Sequence, residues 1–387
     1  MATAGFPTRP PSWLNVRDAK RIYHINDIHI WVVDQKYIVK QTPTSMDPDN
    51  LNSEAATHRW LTENTIVPVP RVHAEWRSPN NRYHFILEDR ARGCSLQQAW
   101  SRLSERARWR IAEQVTAHMR SLSRFQAGSL RTVNRKALMT NWFVPSTGGR
   151  DRFRYMYRTD REILEGEFVP SLQRRRVSSQ TIQRLVRTFP PTNGRFCLTH
   201  ADLYMGNVMV DPERGTLTAI IDWETAGYWP EWYQTVRLTL GAVTKDDRNW
   251  KEMLLSLHKE EEVPNALRAR AWMHIVERLI LKSPTDSKAH RWLHMLEDYI
   301  RGVDVDLKNY VSCREYPYPR GDNRGRDQTR ARSPGRARSP TRYDDNAGYG
   351  GRWQHSYYVN NRADNYYTGD IFPQNLFTGG RHSGGGR

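Results

Sequence analysis

The chain has 387 residues, 38% of them hydrophobic, and carries a net charge of +17 from 59 Lys and Arg against 42 Asp and Glu. No apolar run approaches the ~18 residues of a membrane span, and the N-terminus lacks the apolar stretch of a secretory signal. Cys94, Cys197 and Cys313 are scattered, with neither metal spacing nor an even-numbered disulfide framework. These features exclude membrane and disulfide-rich secreted classes and predict an intracellular protein, cytoplasmic or nuclear, with access to nucleotides.

Residues 1–18 are Pro-rich and predict a flexible lead-in. Short β-branched and aromatic runs near 28–33, 37–41, 71–76 and 83–88 predict strands, with a helix near 50–63 between the second and third. Pro68 and Pro70 close that helix's exit, because proline disfavours helical geometry in the residue before it. Gly93 marks a crossing to a longer, mostly helical region. There Ile111, Val115, Met119 and Leu122 recur at helical spacing over 105–124 and predict core. Residues 140–190, rich in Arg and aromatics, predict further helices. Trp272, Ile275, Val276, Leu279 and Ile280 give another apolar face, as do Trp292, Leu296 and Tyr299.

The most informative stretch is 196–224. His200-Ala201-Asp202 precedes Asn207, and Ile220-Ile221-Asp222-Trp223-Glu224 follows fifteen residues on. Asp followed five residues later by Asn is the spacing of a kinase catalytic loop, where the Asp accepts the proton of the attacking hydroxyl and the Asn holds metal. That triplet alone is weak evidence; the second acidic segment at the end of a hairpin strengthens it. The turn residues 211–215 separate two short apolar runs. If Asp211 pairs with Thr216, a regular ladder sets Val208 opposite Ala219 and Asn207 opposite Ile220. Asn207 and Asp222 are then a diagonal pair on one face, roughly 7–8 Å apart. A one-residue slip would turn Asp222 away. Oxygen ligands of this kind suit Mg2+.

This block resembles the motif of the aminoglycoside phosphotransferase and choline kinase family, small-molecule kinases with a protein-kinase-like fold. Tyr37-Ile38-Val39-Lys40, Ser53-Glu54-Ala55, the run 65–72, the run 85–93 and the segment 227–232 extend the similarity over roughly residues 20–310. The resemblance implies an α+β, two-lobe, protein-kinase-like fold: a β-rich N-lobe over 19–90, a larger, mostly helical C-lobe over 91–313, and a tail over 314–387. It implies ATP and Mg2+ as cofactors and a small-molecule hydroxyl as acceptor. Asp202 would be the catalytic base and His200 would brace its loop. Asn207 and Asp222 would bind Mg2+. Lys40, oriented by Glu54, would hold the α- and β-phosphates, and backbone groups near Glu88 and Arg90 would meet adenine. On the residues alone, Lys40 could equally be a solvated strand-end lysine and Glu54 an exposed helix charge. Glu224, Glu231, Asp160 and Glu165 are the candidates to face the acceptor.

Two departures stand out. The segment before Lys40, residues 21–31, has no glycine, so its backbone cannot approach phosphate as freely as a glycine-rich loop does. After Asp222 there is no room for an activation segment, which disfavours protein substrates. Beyond residue 313 aliphatic residues nearly vanish. Residues 314–387 hold 13 Arg and 7 acidic residues, a net of +6, leaving +11 for the rest. Such a composition predicts a disordered tail. Ala-Arg-Ser-Pro occurs twice there, making Ser333 and Ser339 candidate phosphorylation sites, and arginines interleaved with Tyr and Trp could stack on unpaired bases. The alternative function is therefore a catalytically weak or inactive kinase-like scaffold whose basic tail binds RNA or an anionic partner.

Overall fold

A computed structural model describes residues 8–307 apart from 18, 26, 45–53, 141–152, 240–243 and 260–261. The tail, with Ser333, Ser339 and Cys313, lies outside the described residues. Five antiparallel strands open the chain: β1 (Lys20–Ile25), β2 (Ile28–Val33), β3 (Tyr37–Pro43), β4 (Val72–Arg77) and β5 (Tyr83–Asp89), in the spatial order β1-β2-β3-β5-β4. Helix α1 (Glu54–Asn64) sits between β3 and β4 in sequence. The sequence predicts β2 to β5 and α1 but assigns no strand at β1.

Successive strand residues point to opposite faces, and this sheet separates two environments. Val39 and Leu87, fully buried, face a core shared with Leu14, Trp31, Trp76 and Phe85. Their neighbours Lys40 and Glu88 therefore project to the other face. Trp76 and Phe85 stack at 5.1 Å between ring centroids, which anchors the first face.

The rest of the described chain is mostly helical. It runs through β6 (Cys94–Ser95), the single turn α2 (Leu96–Ala99), α3 (Glu105–Leu122), β7 (Gln126–Ala127), β8 (Leu138–Thr140) and β9 (Phe153–Tyr155). Then come α4 (Asp160–Ile163), α5 (Val169–Arg174), α6 (Ser179–Thr188), β10 (Phe196–Thr199), β11 (Val208–Asp211), β12 (Thr216–Ile220) and β13 (Gly227–Pro230). Helices α7 (Tyr233–Thr239), α8 (Lys245–His258), α9 (Ala266–Leu281) and α10 (Ser287–Ile300) complete it. Six buried tryptophans, Trp223, Trp229, Trp232, Trp250, Trp272 and Trp292, carry much of this core's volume. The architecture is the α+β, protein-kinase-like fold expected from the motif order. Among the described residues no helix is long and apolar enough to cross a membrane.

Two small sheets hold the motif. β10 lies between β13 and β7, and β11 lies between β12 and β6. Gly93, at φ +82°, enters β6 so close to β11 that a Cβ there would stand 1.9 Å from the Val210 carbonyl oxygen. The β11–β12 register departs from the regular ladder. Asp211 pairs with Thr216 and Val210 with Leu217, but a bulge after Val210 pairs Met209 with Ala219 and Val208 with Ile220. The Ile221 N–H donates to the Asn207 carbonyl at 3.0 Å, so Ile221, not Ile220, stands opposite Asn207. The predicted diagonal pairing of Asn207 with Asp222 is thus overturned by the one extra residue a bulge inserts.

Candidate active site

Asp222 still enters the cleft, by another route. Its backbone is left-handed, φ 65° and ψ 60°, at the junction between β12 and the turn Trp223–Thr225. Asp is one of the few non-glycine residues that reach this region readily. The Asp222 Oδ1 accepts from Lys40 Nζ at 2.8 Å. The same ammonium lies 2.8 Å from Glu54 Oε2 and 3.7 Å from Glu224 Oε2. Lys40 is 7% exposed and Glu54 4%, which removes the readings of a solvated lysine and an exposed helix charge.

Three carboxylates around one ammonium leave an excess of negative charge in a buried place. Burial pushes the Glu54 carboxyl up to about 7, opposed by Lys40 and reinforced by Asp222 and Glu224. Glu88 is pushed up to about 8 by burial and then by Glu54. Its side chain also lies 3.4 Å from His58 Nδ1 of α1. Tyr23 of β1 is raised to about 12 by burial and then by Asp222. β1 therefore brings a tyrosine, not a glycine-rich loop, to the charge cluster.

The loop between β10 and β11 builds the second half of the site. His200 is 1% exposed and its ring is fixed at both nitrogens. Nε2 meets the Ile221 carbonyl at 3.0 Å, and Nδ1 meets the Asp202 N–H at 3.1 Å. A carbonyl can only accept and an N–H only donate, so Nε2 carries the proton and the ring is neutral. Burial holds its pKa down to about 4, with the Ile221 carbonyl opposing. His200 thus braces the loop against the strand end that delivers Asp222. Ala201 is left-handed at φ 67°, an uncommon state for a residue with a Cβ. Its carbonyl accepts from Arg237 Nε at 2.9 Å.

Asp202 follows. Asn207 Nδ2 donates to its Oδ2 at 3.2 Å and to its carbonyl at 3.0 Å. Arg237 Nη2 lies 3.8 Å from Oδ1. Burial raises Asp202 to about 7; Arg237 opposes this and Asp222 adds to it. A carboxyl poised near neutrality suits a general base.

The donor set fits a hard divalent cation. The carboxylates of Glu54, Asp222 and Glu224 lie within 4.8 Å of one another. The Asn207 NH2 is spent on Asp202, which leaves its Oδ1 as an oxygen donor.

The remaining expectations fare differently. Arg90 is exposed; its guanidinium is held by Gln35 Oε1 at 2.9 Å and its N–H donates to the Lys36 carbonyl at 2.7 Å. That backbone donor is therefore already engaged with β3's approach. Each of the four candidate acceptor carboxylates has a partner of its own. Glu224 belongs to the Lys40 cluster. Asp160 accepts from the Thr192 N–H and hydroxyl. Glu165 pairs with Arg161 on the surface, and Glu231 with Arg195. Sequence reasoning missed Arg237 and Tyr23. Arg237 lies on α7 beyond any local motif, and Tyr23 lies on β1, where the sequence reading assigns no strand.

A family model described as the phosphotransferase enzyme family matches residues 25–272. Among solved structures, the streptomycin–ATP ternary complex of APH(2″)-IIa is similar at 13% identity, with 77% of this chain and 90% of that chain covered and a TM-score of 0.45. ADP-bound APH(2″)-Ib is similar at 12% identity, covering 78% and 94%, with a TM-score of 0.46. APH(3″)-Id from Streptomyces rimosus is similar at 14% identity, covering 69% and 94%, with a TM-score of 0.42. No curated protein matches the chain. The family assignment rests on the family model.

Proposed function

The chain belongs to the phosphotransferase enzyme family, and we propose that within it this protein moves the γ-phosphoryl group of ATP to a hydroxyl of a small molecule, with Mg2+. The observation that carries the reading is the convergence of Lys40, Glu54 and Asp222 at 2.8 Å contacts, beside a partly buried Asp202 raised to about 7.

Lys40 would hold phosphate oxygens, kept in place by Glu54. Asp222 and the Asn207 Oδ1 would hold Mg2+, which when bound supplies charge neutralisation on the phosphates. Asp202 would take the proton of the acceptor hydroxyl as its oxygen bonds to the γ-phosphorus and ADP leaves. Arg237 and His200 would keep Asp202 in position. Catalysis here is orientation and charge placement in a preorganised site.

The test is thermal unfolding with and without ATP, each with and without Mg2+, on the native chain and Asp222→Asn. Asn tolerates the left-handed backbone, so the variant changes charge and not fold. A ligand at 100 times its Kd stabilises by about 2.7 kcal/mol. A Mg2+-dependent shift that vanishes in the variant supports the reading; no shift at millimolar ATP sinks it and favours the scaffold alternative.

A further inference from the structure

A cavity of about 200 Å3 lies against β10 and the C-terminal ends of α3 and α8. None of Lys40, Asp202, Asn207 or Asp222 lines it, but the far side of the Asp202 loop does, through His200. Two of its polar side chains have buried nitrogens without partners. Gln234 of α7 is 7% exposed, and its Nε2 meets no hydrogen-bond acceptor. His258, the last residue of α8, has both ring nitrogens buried and unpartnered. Buried polar groups are ordinarily satisfied, so two at one cavity point to something that completes them.

The charged lining residues are of mixed sign, and two of them, Arg120 and Glu262, are exposed. Glu231 pairs with Arg195, and Glu262 with Lys259. The inner groups are neutral: burial holds His258 down to about 4 and pushes the Cys197 thiol up to about 11. An ion entering as far as Gln234 and His258 would shed its hydration against neutral groups and apolar walls. The other walls, Met119, Leu122, Leu198 and Val263, are apolar.

We propose that this cavity binds a small uncharged molecule with a hydroxyl or carbonyl group on an apolar body. The polar group accepts from Gln234 Nε2 and meets the His258 ring, while the body packs on the apolar walls. Ligand sites commonly combine apolar lining with a few placed polar groups in this way. The cavity shares with the phosphotransfer site only His200, which braces the Asp202 loop, and the proposal does not depend on the roles assigned there.

The probe is cyclohexanol, with fluorobenzene as an apolar control of similar size. The full chain carries 13C-labelled histidine, and the His258 ring signal is identified by its loss in His258→Phe. Cyclohexanol should displace that signal saturably and bind at least about tenfold more tightly than fluorobenzene. Gln234→Leu should weaken cyclohexanol by about tenfold or more. No displacement overturns the proposal, and so does equal binding of the two probes, which would mark an apolar packing gap only. Should Gln234→Leu fail to fold, the comparison of the two probes on the native chain decides.

Discussion

Lys40 and Asp222 are 182 residues apart and meet at 2.8 Å, joining the five-stranded sheet to the end of the β11–β12 hairpin. The contact depends on two backbone facts. β3 alternation turns Lys40 away from the Val39 core, and the left-handed geometry of Asp222 turns its carboxylate toward the ammonium. With Glu54 on the other side, one cation compensates carboxylates from two separate regions of the chain.

Removing that cation should therefore be costly. Lys40→Met leaves Glu54, Asp222 and Glu224 facing one another without an ammonium, and breaking a buried pair by deleting one partner costs about 3–5 kcal/mol. Glu54 would then hold its proton more strongly still, so the loss should be larger at pH 8 than at pH 6. The double variant Lys40→Met with Glu54→Gln should recover part of it. Urea denaturation at both pH values measures this; an unchanged unfolding free energy for Lys40→Met would show that the ammonium does not compensate the cluster.

Asp202→Asn should separate binding from chemistry. The side-chain shape and the backbone contacts of the loop persist, but no carboxylate remains to accept a proton. ATP turnover should fall about 10²–10⁴-fold, the range ascribed to a positioned base, while the Mg2+-ATP thermal shift persists. Turnover at the native rate would remove Asp202 from the role of base.

The chain displays part of this site openly and hides the rest. His200, Asp202, Asn207 and Asp222 are legible because one loop and one hairpin carry them. The register is not, because whether the strand after Gly215 takes a bulge depends on packing against β6 and α3 and not on local propensity. Lys40 and Glu54 are legible only through resemblance, since a lysine on a strand and a glutamate on a helix are common on any surface. That Glu224, one of four candidates to face the acceptor, turns to Lys40 is not legible either, because nothing in Ile-Asp-Trp-Glu tells which way a residue two beyond a left-handed turn will point. Arg237 carries no signal at all; it is a helical arginine until α7 is docked beside the loop.

Gly93 tests the close approach of β6 to β11. An alanine there adopts an unfavourable positive φ, and its Cβ would overlap the Val210 carbonyl. Gly93→Ala should lower the unfolding free energy by about 2 kcal/mol or more, the sum of backbone strain and displaced pairing. Gly194 is also left-handed but has no atom within 4 Å of a built Cβ, so Gly194→Ala should cost less. Equal melting temperatures for the two variants would refute the close approach.

Acid should destabilise the fold through its buried neutral histidines. His200 has an ordinary value of 6.5 and is held at about 4 in the folded chain, chiefly by burial. Its contribution to stability is present above pH 6.5 and is lost as pH falls toward 4, because the unfolded chain takes up the proton first. Between pH 7.5 and pH 5 this single group accounts for about 2 kcal/mol. His58 and His258, both also held at about 4, act in the same direction. His200→Asn keeps a donor and an acceptor in the loop but cannot titrate. The variant should be less stable than the native chain at pH 7.5, yet its further loss on going to pH 5 should be about 2 kcal/mol smaller. Parallel pH dependences for the two proteins would mean that His200 takes up a proton in the folded state, and its Nδ1 could then no longer accept from the Asp202 N–H to fix the loop.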